Sequence, residues 1–200
     1  MQTKLEKLIS QYRELGIDKQ IDYDKFYLYS LITHSTAIEG STITELENQI
    51  MFDQGISLKG KSMAELNMNL DLKNAYENAV KLANTHADIS IDLLKDFSAL
   101  VMKNTGQEYK TALGAFSSAR GELRLLNVTT GIGGKSYMNY SKVPAKLSEF
   151  CVWLNKEREN YTHKSTIQLY EISFDAHYHL ATIHPWADGN GRMARLLMNM

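Results

Sequence analysis

Twelve consecutive residues, His184-Pro185-Trp186-Ala187-Asp188-Gly189-Asn190-Gly191-Arg192-Met193-Ala194-Arg195, hold the side chains of this sequence best suited to chemistry. Proline disfavours helical geometry in the residue before it, so a helix is expected to end before Pro185. Gly189, Asn190 and Gly191 then open a new helix. Glycines let backbone N–H groups approach an anion closely, and a helix N-terminus adds partial positive charge. Arg192 and Arg195 stand three apart, so both can lie on one side of that helix and fork onto phosphate oxygens. Asp188 is an oxygen ligand beside this nest, where a hard cation bridging phosphates needs one. His184 enters the same loop and can take a proton near neutral pH. Anion cradle, metal anchor, charge clamp and base are the parts of a phosphoryl or nucleotidyl transfer site. Any one of these residues fits an ordinary polar turn; their combination within one short loop does not.

The elements that must position this loop are mainly helical. Only two prolines occur, Pro144 and Pro185, which leaves long stretches free to coil. Gln2 to Leu15 reads as a first amphipathic helix closed by Gly16, and Tyr23 to about Ile38 as a second broken by Gly40. Thr44 with Glu47 and Ser62 with Glu65 are capping boxes. They start a short helix through about Phe52 and a long one through about Ala83. Further helices are expected over Ile91 to Lys103, after Pro144, over Ser165 to about Ile183, and over Asn190 to Met200. Short apolar and aromatic runs around the turn Thr129-Thr130-Gly131-Ile132-Gly133-Gly134-Lys135 read as a β-hairpin, residues 123–140. The expected fold is one all-α domain over residues 1–200 with a single β-hairpin flap. The chain stops at Met200 within a helical pattern and with no capping signal, which suggests a piece of a longer protein.

Composition narrows the partners. With 200 residues, 44% hydrophobic and 22% charged, the chain can build a full core. The net charge of -1 gives no global pull toward nucleic acid or an anionic membrane. No apolar run approaches the ~18 residues of a membrane span, and the N-terminus lacks a signal-peptide core, so a cytoplasmic location is expected. The one cysteine, Cys151, sits in an apolar stretch and reads as a buried structural thiol.

The loop resembles the signature of the Fic family, HPFx(D/E)GNGRxxR, with Trp186 in place of the usual phenylalanine. That aromatic anchors the loop against the core, and a bulkier ring is expected to repack it. Phe174 to Ile183 and Gly121-Glu122-Leu123-Arg124 also look like the family's approach helix and target-docking flap. The resemblance implies a protein adenylyltransferase with ATP as substrate. His184 would be the general base and Asp188 would hold Mg²⁺. Gly189, Asn190 and Gly191 would line the anion cradle, and Arg192 and Arg195 would neutralise the phosphates. Ser35-Thr36-Ala37-Ile38-Glu39-Gly40 is similar to the family's inhibitory pattern, (S/T)xxxE(G/N), about 145 residues ahead of His184. Ser35, Glu39 and Gly40 would then end an inhibitory helix spanning residues 23–40, with Glu39 pairing to Arg195. The implied acceptor is a serine, threonine or tyrosine hydroxyl of a protein docked at the flap, self-modification included.

Rival readings were weighed. His177 and His179 invite a metal hydrolase, but i and i+2 face different sides of a helix. His177 and His184 share a face but lie ~10 Å apart along the axis. Removal of AMP from a modified protein by the same site is a second enzyme reading. A non-catalytic interaction module is a third, against which the intact His184, Asp188 and both arginines argue.

Overall fold

The computed structural model describes residues 3–131 and 133–200. Among them lie eight α-helices and one two-stranded sheet: α1 (Lys4–Glu14), α2 (Tyr23–Ile38), α3 (Glu45–Gln54), α4 (Met63–Asn84), α5 (Ile91–Val101), β1 (Glu108–Thr111), β2 (Gly114–Ser117), α6 (Val143–Glu159), α7 (Thr166–Ile183) and α8 (Asn190–Met198). The start of the first helix expected at Gln2 lies outside the described residues, as does Ile132 in the expected turn.

Helix starts follow the side chains that satisfy them. The capping boxes at Thr44/Glu47 and Ser62/Glu65 both form, and Thr3/Glu6 and Ser165/Gln168 form two more. Pro144 sits in the first turn of α6, where its missing N–H costs no hydrogen bond. The core lies among α2, α4, α5, α6, α7 and α8. α8 packs on α7, α7 on α6, and α4 bridges α5 and α2. Ile32, Leu72, Leu147 and Leu180 are fully enclosed there, each stabilising the fold by roughly 1.5–3 kcal/mol. Cys151 is buried in α6, and burial pushes its thiol up to about 11, as suits an inert structural side chain. Among the described residues, no helix is long and apolar enough to cross a membrane.

The hairpin is displaced from where the sequence placed it. The paired strands are β1 and β2, antiparallel with Glu108 opposite Ser117 and Thr111 opposite Gly114. Residues 123–140 retain only an isolated bridge, Thr129 to Ser136, with Tyr137 N donating to Val128 O at 3.0 Å. The reason is local competition for acceptors. The carbonyls of Leu126 and Met138 both accept from the guanidinium of Arg124, and with Val128 opposite Tyr137 the Leu126 carbonyl is the one a ladder would have used. β1–β2 escaped notice because its turn is Ala112-Leu113 rather than a glycine- or asparagine-rich pair. The segment 123–140 is therefore a flap-like loop closed by one bridge.

A buried amide network fixes the end of α2. Asn69 of α4 is wholly enclosed. Its Oδ1 accepts from Thr36 Oγ1 at 2.9 Å and from Asn48 Nδ2 at 3.0 Å. Its Nδ2 donates to Ser41 Oγ at 3.1 Å and to Glu65 O at 2.9 Å. One side chain thus joins α2, α3, α4 and the chain just after α2. Asn69→Ala should leave one amide proton of Asn48 without an acceptor and untie Ser41 and Thr36 from α4, although Thr36 keeps Ile32 O, costing about 2–4 kcal/mol. Urea denaturation measures this; a loss below about 1 kcal/mol would mean that the network is dispensable.

Candidate active site

The site is assembled on the turn between α7 and α8. α7 ends at His184, which adopts the left-handed conformation at φ 52°, ψ 63°. A non-glycine residue there is uncommon and needs support from its surroundings. His184 N donates to Leu180 O at 3.0 Å, and His184 O accepts from Arg124 Nε at 2.7 Å. Trp186 plugs the loop into the core with no exposed surface, and its indole N–H donates to Gly121 O at 3.0 Å. The larger aromatic thus gains a polar partner that phenylalanine lacks. Gly121 can offer that carbonyl because its backbone lies directly on Lys95 of α5, too close for any Cβ.

Asn190 braces the turn from within. Its Oδ1 accepts from Trp186 N at 3.0 Å and its Nδ2 donates to Trp186 O at 2.9 Å. The Asn190 side chain therefore shapes the cradle rather than facing into it. Gly189 caps α8 at φ 80°, and no side chain accepts from the first turn of the helix. α1, α2, α3, α4, α5 and α7 all carry a side-chain cap. The donors that open α8 stay available to an external anion.

Around this opening stand the charged groups. Asp188 is half-exposed; its Oδ1 accepts from Gly189 N at 2.5 Å and lies 3.7 Å from Arg192 Nη2. Arg192 is buried against the end of α5, where Nη1 donates to Val101 O at 3.4 Å. Its Nε is enclosed without a partner among the described residues. Burial pulls its pKa below the usual guanidinium value. Arg195 points to α2: Nε donates to Ser35 Oγ at 2.8 Å, and Nη2 donates to Ser35 O at 3.0 Å and to Glu39 Oε1 at 2.6 Å. The two arginines, three apart in sequence, are thus held by different helices. Gly40, at φ 97°, ends α2 immediately after Glu39. A Cβ on Gly191 would stand 2.7 Å from Glu39 Oε1. The carboxylate therefore rests over the first turn of α8, in the space an anion would take.

His184 is half-buried with its Nδ1 3.3 Å from Ala181 O. A carbonyl can only accept, so Nδ1 carries the proton and Nε2 keeps its lone pair. Burial pushes the imidazole pKa below its ordinary value, assisted by the nearby Arg124 charge; the bond to Ala181 and the charge of Asp188 oppose this. The neutral form that can accept a proton is favoured. Tyr137 lies on the flap, where the sequence left a target contact and ordinary strand alternation equally open. In the structure its ring stacks on His184, with centroids 3.6 Å apart and planes 18° from parallel. Arg124 was noted only as part of the flap-like stretch; nothing in a lone arginine signals burial.

The chain belongs to the Fic/DOC family, whose model matches residues 88–200. It is 30% identical over 179 residues to a protein adenylyltransferase, fic-1, of Caenorhabditis elegans, a match covering 88% of this chain and 32% of that protein. It is 33% identical over 171 residues to the protein adenylyltransferase Fic of Drosophila melanogaster, covering 84% and 31%. The chain thus spans about a third of the length of these relatives. A Fic domain containing signaling protein from Bacteroides thetaiotaomicron shares the fold, with TM-score 0.78 at 20% identity, over 98% of this chain and 71% of that one.

The Trp186 bond is testable by restoring the residue usual in the family. Trp186→Phe should cost about 2–3 kcal/mol, combining an orphaned Gly121 carbonyl with a small cavity. Equilibrium denaturation decides it; unchanged stability would show that the indole N–H contributes nothing.

Proposed function

We propose that this chain transfers AMP from ATP to a serine, threonine or tyrosine hydroxyl of a protein, and that Glu39 restrains the reaction. One observation carries the reading: the uncapped start of α8 lies on the same turn as a histidine whose free nitrogen is Nε2. The names of the two relatives as protein adenylyltransferases support it.

The chemistry follows from the residues. The ATP phosphates rest on the open first turn of α8 between Arg192 and Arg195. The acceptor hydroxyl gives its proton to His184 Nε2 as its oxygen attacks the α-phosphorus. The bond from that phosphorus to the bridging oxygen breaks, and pyrophosphate leaves. Rate comes mainly from positioning and from fixed positive charge where negative charge develops. Asp188 suits Mg²⁺, an ion commonly bound by one or two carboxylates together with substrate phosphates. Its Oδ2 makes no hydrogen bond among the described residues. A bound Mg²⁺ there would supply neutralisation of phosphate charge. The protein substrate approaches along an open groove of about 720 Å³ beside the flap, lined by Tyr137, Met138, Lys142, Lys146, Tyr178 and Thr182 among others.

Glu39 restrains this reaction in two ways. It satisfies Arg195, and its carboxylate fills the anion's place over Gly191. ATP must displace it against like-charge repulsion. The same carboxylate favours a second reading, in which Glu39 orients a water that removes AMP from a modified protein.

Glu39→Gly should raise AMP transfer strongly and lower apo stability by about 1–2 kcal/mol, since the pair is only partly buried and Arg195 keeps Ser35. Melting temperature should recover as ATP and Mg²⁺ are added. Labelled ATP with wild type and variant side by side measures transfer, self-modification first. Equal rates in two folded proteins would defeat autoinhibition, and release of AMP from pre-modified protein by the wild type alone would favour the second reading.

His184→Ala in the Glu39→Gly background should lower transfer by about 10²–10⁴-fold with ATP affinity within a few-fold. With His184 present, kcat/KM should rise with pH as the imidazole loses its proton and then level off. Because burial depresses that pKa, the acid limb should lie below pH ~6.5. A limb at or above that pH, or one that persists unchanged in the His184→Ala variant, would remove His184 as the base.

A further inference from the structure

We propose that Arg124 is a positioning residue that locks the flap and the catalytic loop into one register, setting both the backbone of His184 and the Tyr137 ring against it. The proposal rests on the reading of His184 as the base. Arg124 is 1% exposed, and no carboxylate lies within 4 Å of its guanidinium among the described residues. Buried cations ordinarily have an acidic partner. Here the charge is met entirely by carbonyl oxygens from three separate stretches of chain.

Nε donates to His184 O, Nη1 to Leu126 O at 2.7 Å, and Nη2 to Met138 O. The backbone N–H of Arg124 donates to Pro185 O at 3.1 Å. Leu126 and Met138 stand at the two ends of the flap, and Met138 directly follows Tyr137. His184 and Pro185 are the entry to the catalytic turn. One planar guanidinium therefore fixes the flap's width and its distance from the base at the same time. It also supports His184 in the left-handed conformation, which local bonding alone does not favour. The stacked Tyr137–His184 pair lies between two of its anchor points. Burial of this unpaired charge next to the imidazole also opposes protonation of His184.

A lysine cannot reproduce this arrangement. Its ammonium is a point charge on a flexible stem, whereas three carbonyls in different directions need the rigid fork. Arg124→Lys therefore separates geometry from charge.

The test compares Glu39→Gly, Glu39→Gly with Arg124→Lys, and Glu39→Gly with Tyr137→Leu. Two-dimensional NMR of the six histidines follows His184, whose ring protons face the Tyr137 ring and should resonate upfield of the others. In the Arg124→Lys protein that signal should move toward its position in the Tyr137→Leu protein. Transfer should fall about 10²-fold with ATP affinity within about threefold, as expected for a misplaced reacting group. A folded Arg124→Lys protein with the His184 signal unmoved, or with an unchanged rate, overturns the proposal. If the Glu39→Gly protein transfers no AMP, the functional reading fails, and the NMR signal alone still decides the role of Arg124. Should Arg124→Lys not fold, Tyr137→Leu decides: transfer within twofold of its parent overturns the proposal, and a loss of about tenfold or more at unchanged melting temperature supports it.

Discussion

The backbone N–H groups that open α8 have no side chain to accept from them, and this constraint organises the rest of the molecule. A helix start normally recruits its own cap, as six other helices here do. α8 instead begins on Gly189 in a left-handed conformation, with Asn190 turned away to hold Trp186. Those donors must stay accessible, so the turn needs rigidity from elsewhere. Trp186 supplies it from the core through Gly121, and Arg124 supplies it from the flap through His184 and Pro185. A loop that bonded its own helix start would be simpler to fold and unable to hold a phosphate.

The open start attracts negative charge, and α2 delivers it. Glu39 rests against Gly191, where a Cβ would stand 2.7 Å from its Oε1 and push the carboxylate aside. It arrives in register because α2 is pinned three residues earlier, where Thr36 donates to Asn69. The contact is well suited to being replaced. Arg195 keeps two bonds to Ser35 when Glu39 leaves, so the arginine does not swing free. Under the proposed function the exchange would be between two anions at one helix terminus, its balance set by how firmly the Asn69 network holds α2.

Much of this was legible in the sequence because it depends on neighbours a few residues apart. Pro185, Gly189 and Gly191 announced the turn, and the pairs Thr44/Glu47 and Ser62/Glu65 announced helix starts within a residue of where they occur. Glu39 was placed opposite Arg195 from two short motifs, and the ion pair is there. What escaped depends on distant chain. The flap was read as a ladder, yet Leu126 and Met138 accept from Arg124 because the catalytic turn lies beside them. Arg192 was expected beside Arg195, but the end of α5 captures it. Asn48 and Asn69 look like ordinary polar helix positions until three helices bring them together. No local pattern encodes those meetings.

Four departures from ordinary folding preferences meet at one turn, although His86 is also left-handed and Asp18, Tyr23 and Asn48 also bury unpartnered polar atoms elsewhere. His184 holds a left-handed conformation without being glycine, α8 starts uncapped, Arg124 buries a charge with no acid beside it, and Arg192 buries an Nε with no partner. Each is costly by itself; six of the other seven helices carry a side-chain cap, and α6 starts instead on Pro144. Features that oppose stability persist where the surroundings over-determine them, which is the usual mark of a working site. They meet on or against the turn from His184 to Arg195, the stretch that the sequence also marks. Three of the four departures also concern positive charge or free donors. Asp188 lies 3.7 Å from Arg192 and Glu39 pairs with Arg195, while the start of α8 keeps its donors free of any side-chain cap. Arg124 is already met by three carbonyls, so what the turn leaves open to an external anion is the start of α8 and the Arg195 that Glu39 now occupies.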